Sequence, residues 1–309
     1  MAAEIDSVTP RHLKLENAIT EINKIMNQRI IAAIKNANPN SLENATETCD
    51  EESLYTELRK SIFQSYTASW GLKGYALDQQ MRQLLTQYSY ALSLNDSIYR
   101  DLNYIEAFSL NLKELSDVIN INGHLIGIDK MGHFFAEGWQ YFELTQEQQT
   151  LKQAMDWGKQ QEQGKFGYVT TGVFSFADLI ANFNGWLFWN KVLLKNADPI
   201  KGGIANFFDR PYISCDINLI ESMKQRRMIR LWAVNLSFDF SDYVDGAWDE
   251  GNNCNSYKDP IIENKVLERI KKVGFEFSCP YQVKHCINAR NKYQKYAKYL
   301  LHPACLTRK

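Results

Sequence analysis

The sequence predicts a mainly α-helical, multi-helix globular fold with a β-hairpin near residues 118–128 and a cysteine-bearing C-terminal region. Three observations carry this. Apolar residues recur at three- and four-residue spacing along much of the chain, the mark of helices with one buried face. Seven prolines and 16 glycines in 309 residues are few, which suits helices better than a turn-rich β fold. One segment changes period, with β-branched residues on both sides of Asn122-Gly123, the pair that favours a tight hairpin turn. A chain that is 45% hydrophobic and 23% charged folds around a core rather than remaining disordered.

Taken in order, Leu15, Ile19, Ile22, Met26, Ile30 and Ala33 line one face of a first helix. Asn36-Ala-Asn-Pro-Asn-Ser41 ends it, and a polar loop carrying Cys49 runs to Glu52. Helical patterns cover Leu54–Tyr66, Leu77–Leu94 and Ile98–Leu115. After the hairpin, a helix opens with Asp129 near its N-cap. Another helical pattern spans Gln146–Gln163, and a glycine-interrupted turn fills Gly164–Gly172. Ser175-x-x-Asp178 then has the spacing of a cap for the apolar helix that follows. The last third holds Arg226–Trp232, an acidic loop from Asp239 to Glu250, a helix over Ile261–Val273 and a final helix from Val283. The natural division is a helical core over 1–210 and a cysteine-rich, mostly helical part over 211–309 packed on it, together readable as a single domain.

Charge excludes one class of function. Lys+Arg number 35 and Asp+Glu 36, a net charge of −1, so the chain lacks the basic excess of a protein that grips nucleic acid by bulk electrostatics. No apolar run of about 18 residues occurs, so no transmembrane segment is expected. Met1-Ala-Ala-Glu4 lacks the basic start and apolar stretch of a signal peptide. The six cysteines, Cys49, Cys215, Cys254, Cys279, Cys286 and Cys305, form an even set in loop-like settings and point to disulfides of unknown pairing. They favour a periplasmic or secreted protein whose signal has been removed, with a cytoplasmic location as the alternative.

The candidate site lies in the apolar middle. Asp129, His133 and Glu137 are spaced i, i+4, i+8 and share one helix face. His124 precedes them on the second hairpin strand, and Asp178 and Asn182 repeat the i, i+4 spacing on the apolar helix. Ionisable groups in such surroundings need partners, which the two helices supply by facing each other. His133, Glu137 and Asp178 are the catalytic candidates, with His124, Asn182 and Asp129 placed to bind a ligand. Two chemical uses follow. His133 and Glu137 can hold a divalent metal such as zinc that activates water for hydrolysis. Alternatively His133 is a general base oriented by Asp129 or Asp178. Against both stands a structural network that only fixes how two helices pack. The chain is then a non-catalytic binding protein, its partner a small molecule or a component of the cell envelope.

Asp129-Lys130-Met131-Gly132-His133-Phe134, followed by Ser175-x-x-Asp178-x-x-x-Asn182-x-x-Gly185, resembles a pairing found in uncharacterised exported bacterial proteins. It is distantly similar to VanZ-like helical membrane proteins, over Ile128 to Trp189 only. The resemblance implies that the two helices form one functional or packing unit, and it carries no activity with it. This chain departs from that pattern in having no expected membrane span, in Glu137 and in its cysteine-bearing last third.

Other features read as structure. Tyr293, Tyr296 and Leu300 form a packing stripe among solvated lysines. Arg226, Arg227 and Arg230 read as a surface ion-pair face. Asp239, Asp242, Asp245, Asp249 and Glu250 have a calcium-friendly composition without the calcium-loop register. No P-loop, G-x-G-x-x-G, G-x-S-x-G or H-E-x-x-H occurs.

Overall fold

The computed structural model describes residues 4–39, 48–64, 73–112, 115–164, 167–273 and 276–307. The first apolar stripe becomes α1 (Ile19–Ala37), with Ile22, Met26, Ile30 and Ala33 all buried on its inner face. Helix α2 (Glu51–Arg59) is opened by Asp50, whose carboxylate accepts from the amides of Glu52 and Ser53 at 3.0 and 3.3 Å. It continues into a wide turn over Lys60–Gln64. Helix α3 (Lys73–Leu84) ends ten residues before the predicted boundary at Leu94. A turn there leads into β1 (Ser89–Tyr90), which pairs antiparallel with β2 (Val118–Ile121).

The predicted helix over Ile98–Leu115 is mostly turns, with one short helix α4 (Phe108–Leu112) among the described residues. The reason is local capping. The Asp6 carboxylate accepts from the amides of Val8, Thr9 and Ile98, and the Asn103 side chain accepts from Ile105 and Glu106. These bonds hold the backbone in turns that compete with a helix.

The hairpin is present. Strand β2 pairs with β3 (His124–Gly127), Ile121 facing His124 across the turn. Asn122 and Gly123 both have positive φ, 53° and 88°, as the tight turn requires. The chain then enters α5 (Asp129–Gly132), a wide turn over His133–Glu137, and α6 (Gly138–Gln146). Asp129 is the first helical residue and not the cap: its amide donates to Ser116 Oγ at 3.0 Å, and its side chain turns inward. Thr150 and Gln153 form a reciprocal capping box for α7 (Leu151–Gln163).

Strand β4 (Val173–Ser175) feeds α8 (Phe176–Leu193), which is buried on nearly every side. Ser175 caps α8, as its spacing from Asp178 predicts. Two glycines set how α8 crosses the α5–α6 segment. A Cβ on Gly185 would stand 1.9 Å from the Phe134 carbonyl oxygen, and one on Gly138 would stand 2.5 Å from the Gly185 Cα. The backbones touch at that crossing, so only glycine fits at either position. The indole of Trp189 donates to the Phe135 carbonyl at 2.9 Å within the wide turn.

Beyond a short α9 (Gly203–Phe207), β5 (Ile213–Ile217) and β6 (Arg230–Val234) form a second hairpin around α10 (Leu219–Gln225). Strand β7 (Asn255–Tyr257) pairs with β4. Asp259 caps α11 (Pro260–Lys272), with Pro260 at the first helical position. The predicted final helix is broken into α12 (Val283–Tyr293), a single 3-10 turn, α13 (Ala297–Leu300) and α14 (Pro303–Thr307). Tyr293 and Leu300 are buried there, as the stripe predicts. The fold is therefore mainly helical with small antiparallel sheets.

All six cysteines are paired, as Cys49–Cys215, Cys254–Cys279 and Cys286–Cys305. The first ties the two halves of the chain across residue 210. One aromatic core also spans them: Phe134 meets Phe188 from the first half and Phe240 and Tyr243 from the second, with ring centroids 5.1–5.5 Å apart. Among the described residues, no helix is long and apolar enough to cross a membrane.

Candidate functional site

The glycine crossing brings the start of α5 against the first turns of α8, and the loop before β7 closes over both. Lys130 stands where the three segments meet. Its side chain is buried, and its ammonium reaches Asp129 Oδ2 at 2.7 Å, Asp178 Oδ1 at 2.5 Å and Glu250 Oε1 at 2.8 Å. An ammonium has three protons to give, and each has a carboxylate. Ser175 Oγ lies 3.1 Å from Asp178 Oδ1 and 2.9 Å from Glu250 Oε1, while the Asn255 amide donates to Glu250 Oε2 at 2.7 Å.

His133 joins from the other side of Asp178. Its Nε2 lies 3.1 Å from Asp178 Oδ2, and its Nδ1 is 3.1 Å from the Asn182 side chain. Burial works against charge on the imidazole, yet the Asp178 carboxylate outweighs it and holds the pKa up at about 10. His133 is accordingly an imidazolium at neutral pH. Burial would raise the Asp178 pKa, but His133 and Lys130 together pull it below the usual carboxylate range. Lys130 is likewise held charged: burial opposes the charge, and Asp129, Asp178 and Glu250 overcome it.

Around this charged centre lie acids pushed the other way. Burial raises the pKa of both Asp129 and Glu250. Glu4 is raised well above the ordinary carboxylate value by burial and by Glu250 and Asp178, Glu162 by burial and Asp178, and Asp78 by burial and Asp129. Glu4 accepts from Thr171 Oγ1 at 2.6 Å, and Asp78 accepts from the Gly132 amide at 2.7 Å. The site is a group of buried carboxyls sharing two cations, with their proton affinities spread widely apart. Such a spread is what acid–base sites use, and buried ion networks also produce it.

Of the residues chosen from sequence, Asp129, His133 and Asp178 do come together: one ligand atom from each lies within 4.8 Å of the others. Asn182 joins them through His133. Glu137 is not in that group. The helix widens over His133–Glu137, so residues four apart no longer stack on one face. His124 lies elsewhere, its ring edge-on to His285 with centroids 4.9 Å apart, and burial lowers the pKa of both histidines. The acidic loop is not a calcium cradle. Asp249 pairs with Arg11 at 2.6 Å, Asp245 with Lys292 at 2.8 Å, and Glu250 with Lys130.

Lys130, Glu250, Glu4, Glu162 and Asp78 are not among the site residues expected from sequence. The Asp129-Lys130 pair inside an apolar run was the available signal for Lys130, because a lysine there must be paired or pay for its burial. Nothing local marks Glu250 or Glu4, whose partners are far away in the chain. No protein-family model matches the chain, and no curated protein or solved structure matches it.

Proposed function

We propose that the protein is a disulfide-braced, non-catalytic binding protein of an oxidising compartment, periplasmic or secreted, in which the His133 cluster is an internally neutralised lock. The single observation that carries this reading is the position of Lys130. Its ammonium already occupies the point where Asp129, Asp178 and Glu250 converge, so the cation these carboxylates need is supplied by the chain itself. The lock joins α5, α8 and the loop before β7, beside the backbone contact that the glycine crossing already makes. His133, Asp129, Asp178 and Asn182 have structural roles in this reading, and the three disulfides support the compartment.

Two observations favour a second reading, a divalent-metal site for hydrolysis. Asp129, His133 and Asp178 are close enough to share an ion, and Asp129 Oδ1 is buried with no hydrogen-bond partner among the described residues. A metal there must take a His133 nitrogen in place of its proton and share Asp129 and Asp178 with the Lys130 ammonium. Thermal unfolding of the whole chain with and without zinc separates the two. The lock predicts no change of midpoint on adding or chelating zinc. Stoichiometric zinc binding that raises the midpoint and is lost in Asp178→Asn overturns it in favour of the metal site.

A further inference from the structure

The hairpin of β5 and β6 is an arm with a fixed base and an unpacked tip. At the base, the Cys49–Cys215 disulfide ties β5 to the first half of the chain, and the Trp232 amide of β6 donates to Asn38 Oδ1 at 2.8 Å. At the tip, no residue from Asp216 to Met228 is buried, and α10 stands there without a single buried side chain. The tip nevertheless has a defined shape. Asn218 Oδ1 accepts from the Glu221 amide at 3.1 Å, and the amides of Arg227 and Ile229 return to the carbonyl and hydroxyl of Ser222 at 3.2 and 2.9 Å.

The side chains that this shape presents are apolar. Leu219, Ile220 and Met223 are 69%, 68% and 81% exposed, and spacings of three and four residues put them on one face of α10. Met228, between the two residues bonded to Ser222, is exposed as well. One exposed apolar side chain is ordinary, whereas a face of them on an element that buries nothing marks an interaction site.

Charge names the partner. From Asp216 to Arg230 four lysines and arginines face two acids, a net charge of +2 in a chain whose total is −1. Lys224 is matched by Glu221 at 2.8 Å. Arg226 has no ion pair among the described residues, and Arg230 donates to the Cys215 carbonyl at 3.4 Å, so the surface ion-pair face expected of this cluster does not include them. A projecting helix with an apolar face and a basic edge matches the boundary of a lipid layer, where hydrocarbon accepts the first and anionic phosphates the second.

We propose that the tip of this arm is a peripheral membrane anchor. Leu219, Ile220, Met223 and Met228 enter the apolar edge of a bilayer containing anionic lipid, and Lys224, Arg226 and Arg227 meet its phosphates. The anchor goes beyond the binding reading above and is independent of the Lys130 lock. Co-sedimentation of the full-length, oxidised protein with vesicles tests it, using phosphatidylcholine alone and phosphatidylcholine with about one third phosphatidylglycerol. Binding is expected to the anionic vesicles, at least tenfold tighter than to the neutral ones, and to weaken in 0.5 M salt. Hydrogen exchange on the bound protein is expected to slow across residues 217–230. Arg226→Glu with Arg227→Glu, and separately Leu219→Ser with Met223→Ser, are each expected to weaken binding about tenfold with the unfolding midpoint unchanged, because all four side chains are exposed. No binding to anionic vesicles, equal binding to neutral ones, indifference to both variant pairs, or protection confined to other residues overturns the proposal. So does self-association in the absence of lipid that Leu219→Ser with Met223→Ser abolishes, which would assign this face to a second copy of the chain.

Discussion

Lys130 Nζ and Asp178 Oδ1 meet at 2.5 Å, with both side chains out of solvent. The pair joins the start of α5 to the first turn of α8. Because Lys130 also holds Asp129 and Glu250, its removal takes the cation from those two and leaves Asp178 with His133 alone. Lys130→Met is expected to destabilise the protein by roughly 3–5 kcal/mol, the range for breaking a buried ion pair from one side. Chemical unfolding at neutral pH measures it. The double variant Lys130→Met with Asp178→Asn should cost less than the sum of the two singles, since each removes a charge the other strands. Additive costs would show that the pair does not act as a unit.

The register of that pair depends on the glycine crossing. Gly185→Ala drives a Cβ to within 1.9 Å of the Phe134 carbonyl oxygen, a backbone atom that cannot step aside as a side chain would. A loss of roughly 1–3 kcal/mol or more is expected from overpacking. The same change at Gly202, where a Cβ has open space, should leave the unfolding midpoint nearly unmoved. Equal effects at the two sites would contradict close backbone contact at the crossing.

Glu162 gives a pH-dependent prediction. Burial and the Asp178 carboxylate raise its folded pKa well above the ordinary value of 4.5. The folded state therefore holds that proton more tightly than the unfolded chain does. Its contribution is complete below about pH 4.5 and declines as the pH climbs toward the folded pKa. Glu162→Gln keeps the shape and removes the proton, so it should raise stability at pH 8 relative to wild type and have a smaller effect at pH 4. Urea unfolding midpoints at the two values check the sign, and a loss of stability at pH 8 would contradict it.

What the sequence reveals of this molecule follows the range of the interactions. The α1 stripe, the Asn122-Gly123 hairpin and the Ser175 cap are settled by residues within one or two turns of each other, and all are legible in advance. The segment Ile98–Leu115 has helical spacing, but Asp6 captures its first amide from more than ninety residues away, and no local pattern shows that. The candidate site divides in the same way. The pairing of His133 with Asp178 is readable because two helices of matching polarity in an apolar setting must face each other. Glu137 is misread because a single widened turn breaks the four-residue phase. Glu250 is grouped with a loop of calcium-friendly composition because nothing in the sequence shows that Lys130 reaches it from 120 residues away.

His133 offers the sharpest measurement. Its folded pKa of about 10 exceeds the ordinary 6.5, so its stabilising effect is fully present below about pH 6.5. That effect is lost as the pH rises through 10. In the charged state Nε2 donates to Asp178 at 3.1 Å, and Nδ1 lies 3.1 Å from the Asn182 amide. Nitrogen-15 shifts of the imidazole, followed from pH 6 to 11, are expected to stay at imidazolium values until near pH 10. In Asp178→Asn the attraction that outweighs burial is gone, and the ring should be neutral already at pH 7. A neutral ring at pH 7 in the unaltered protein would break the link between His133 and Asp178 on which the lock depends.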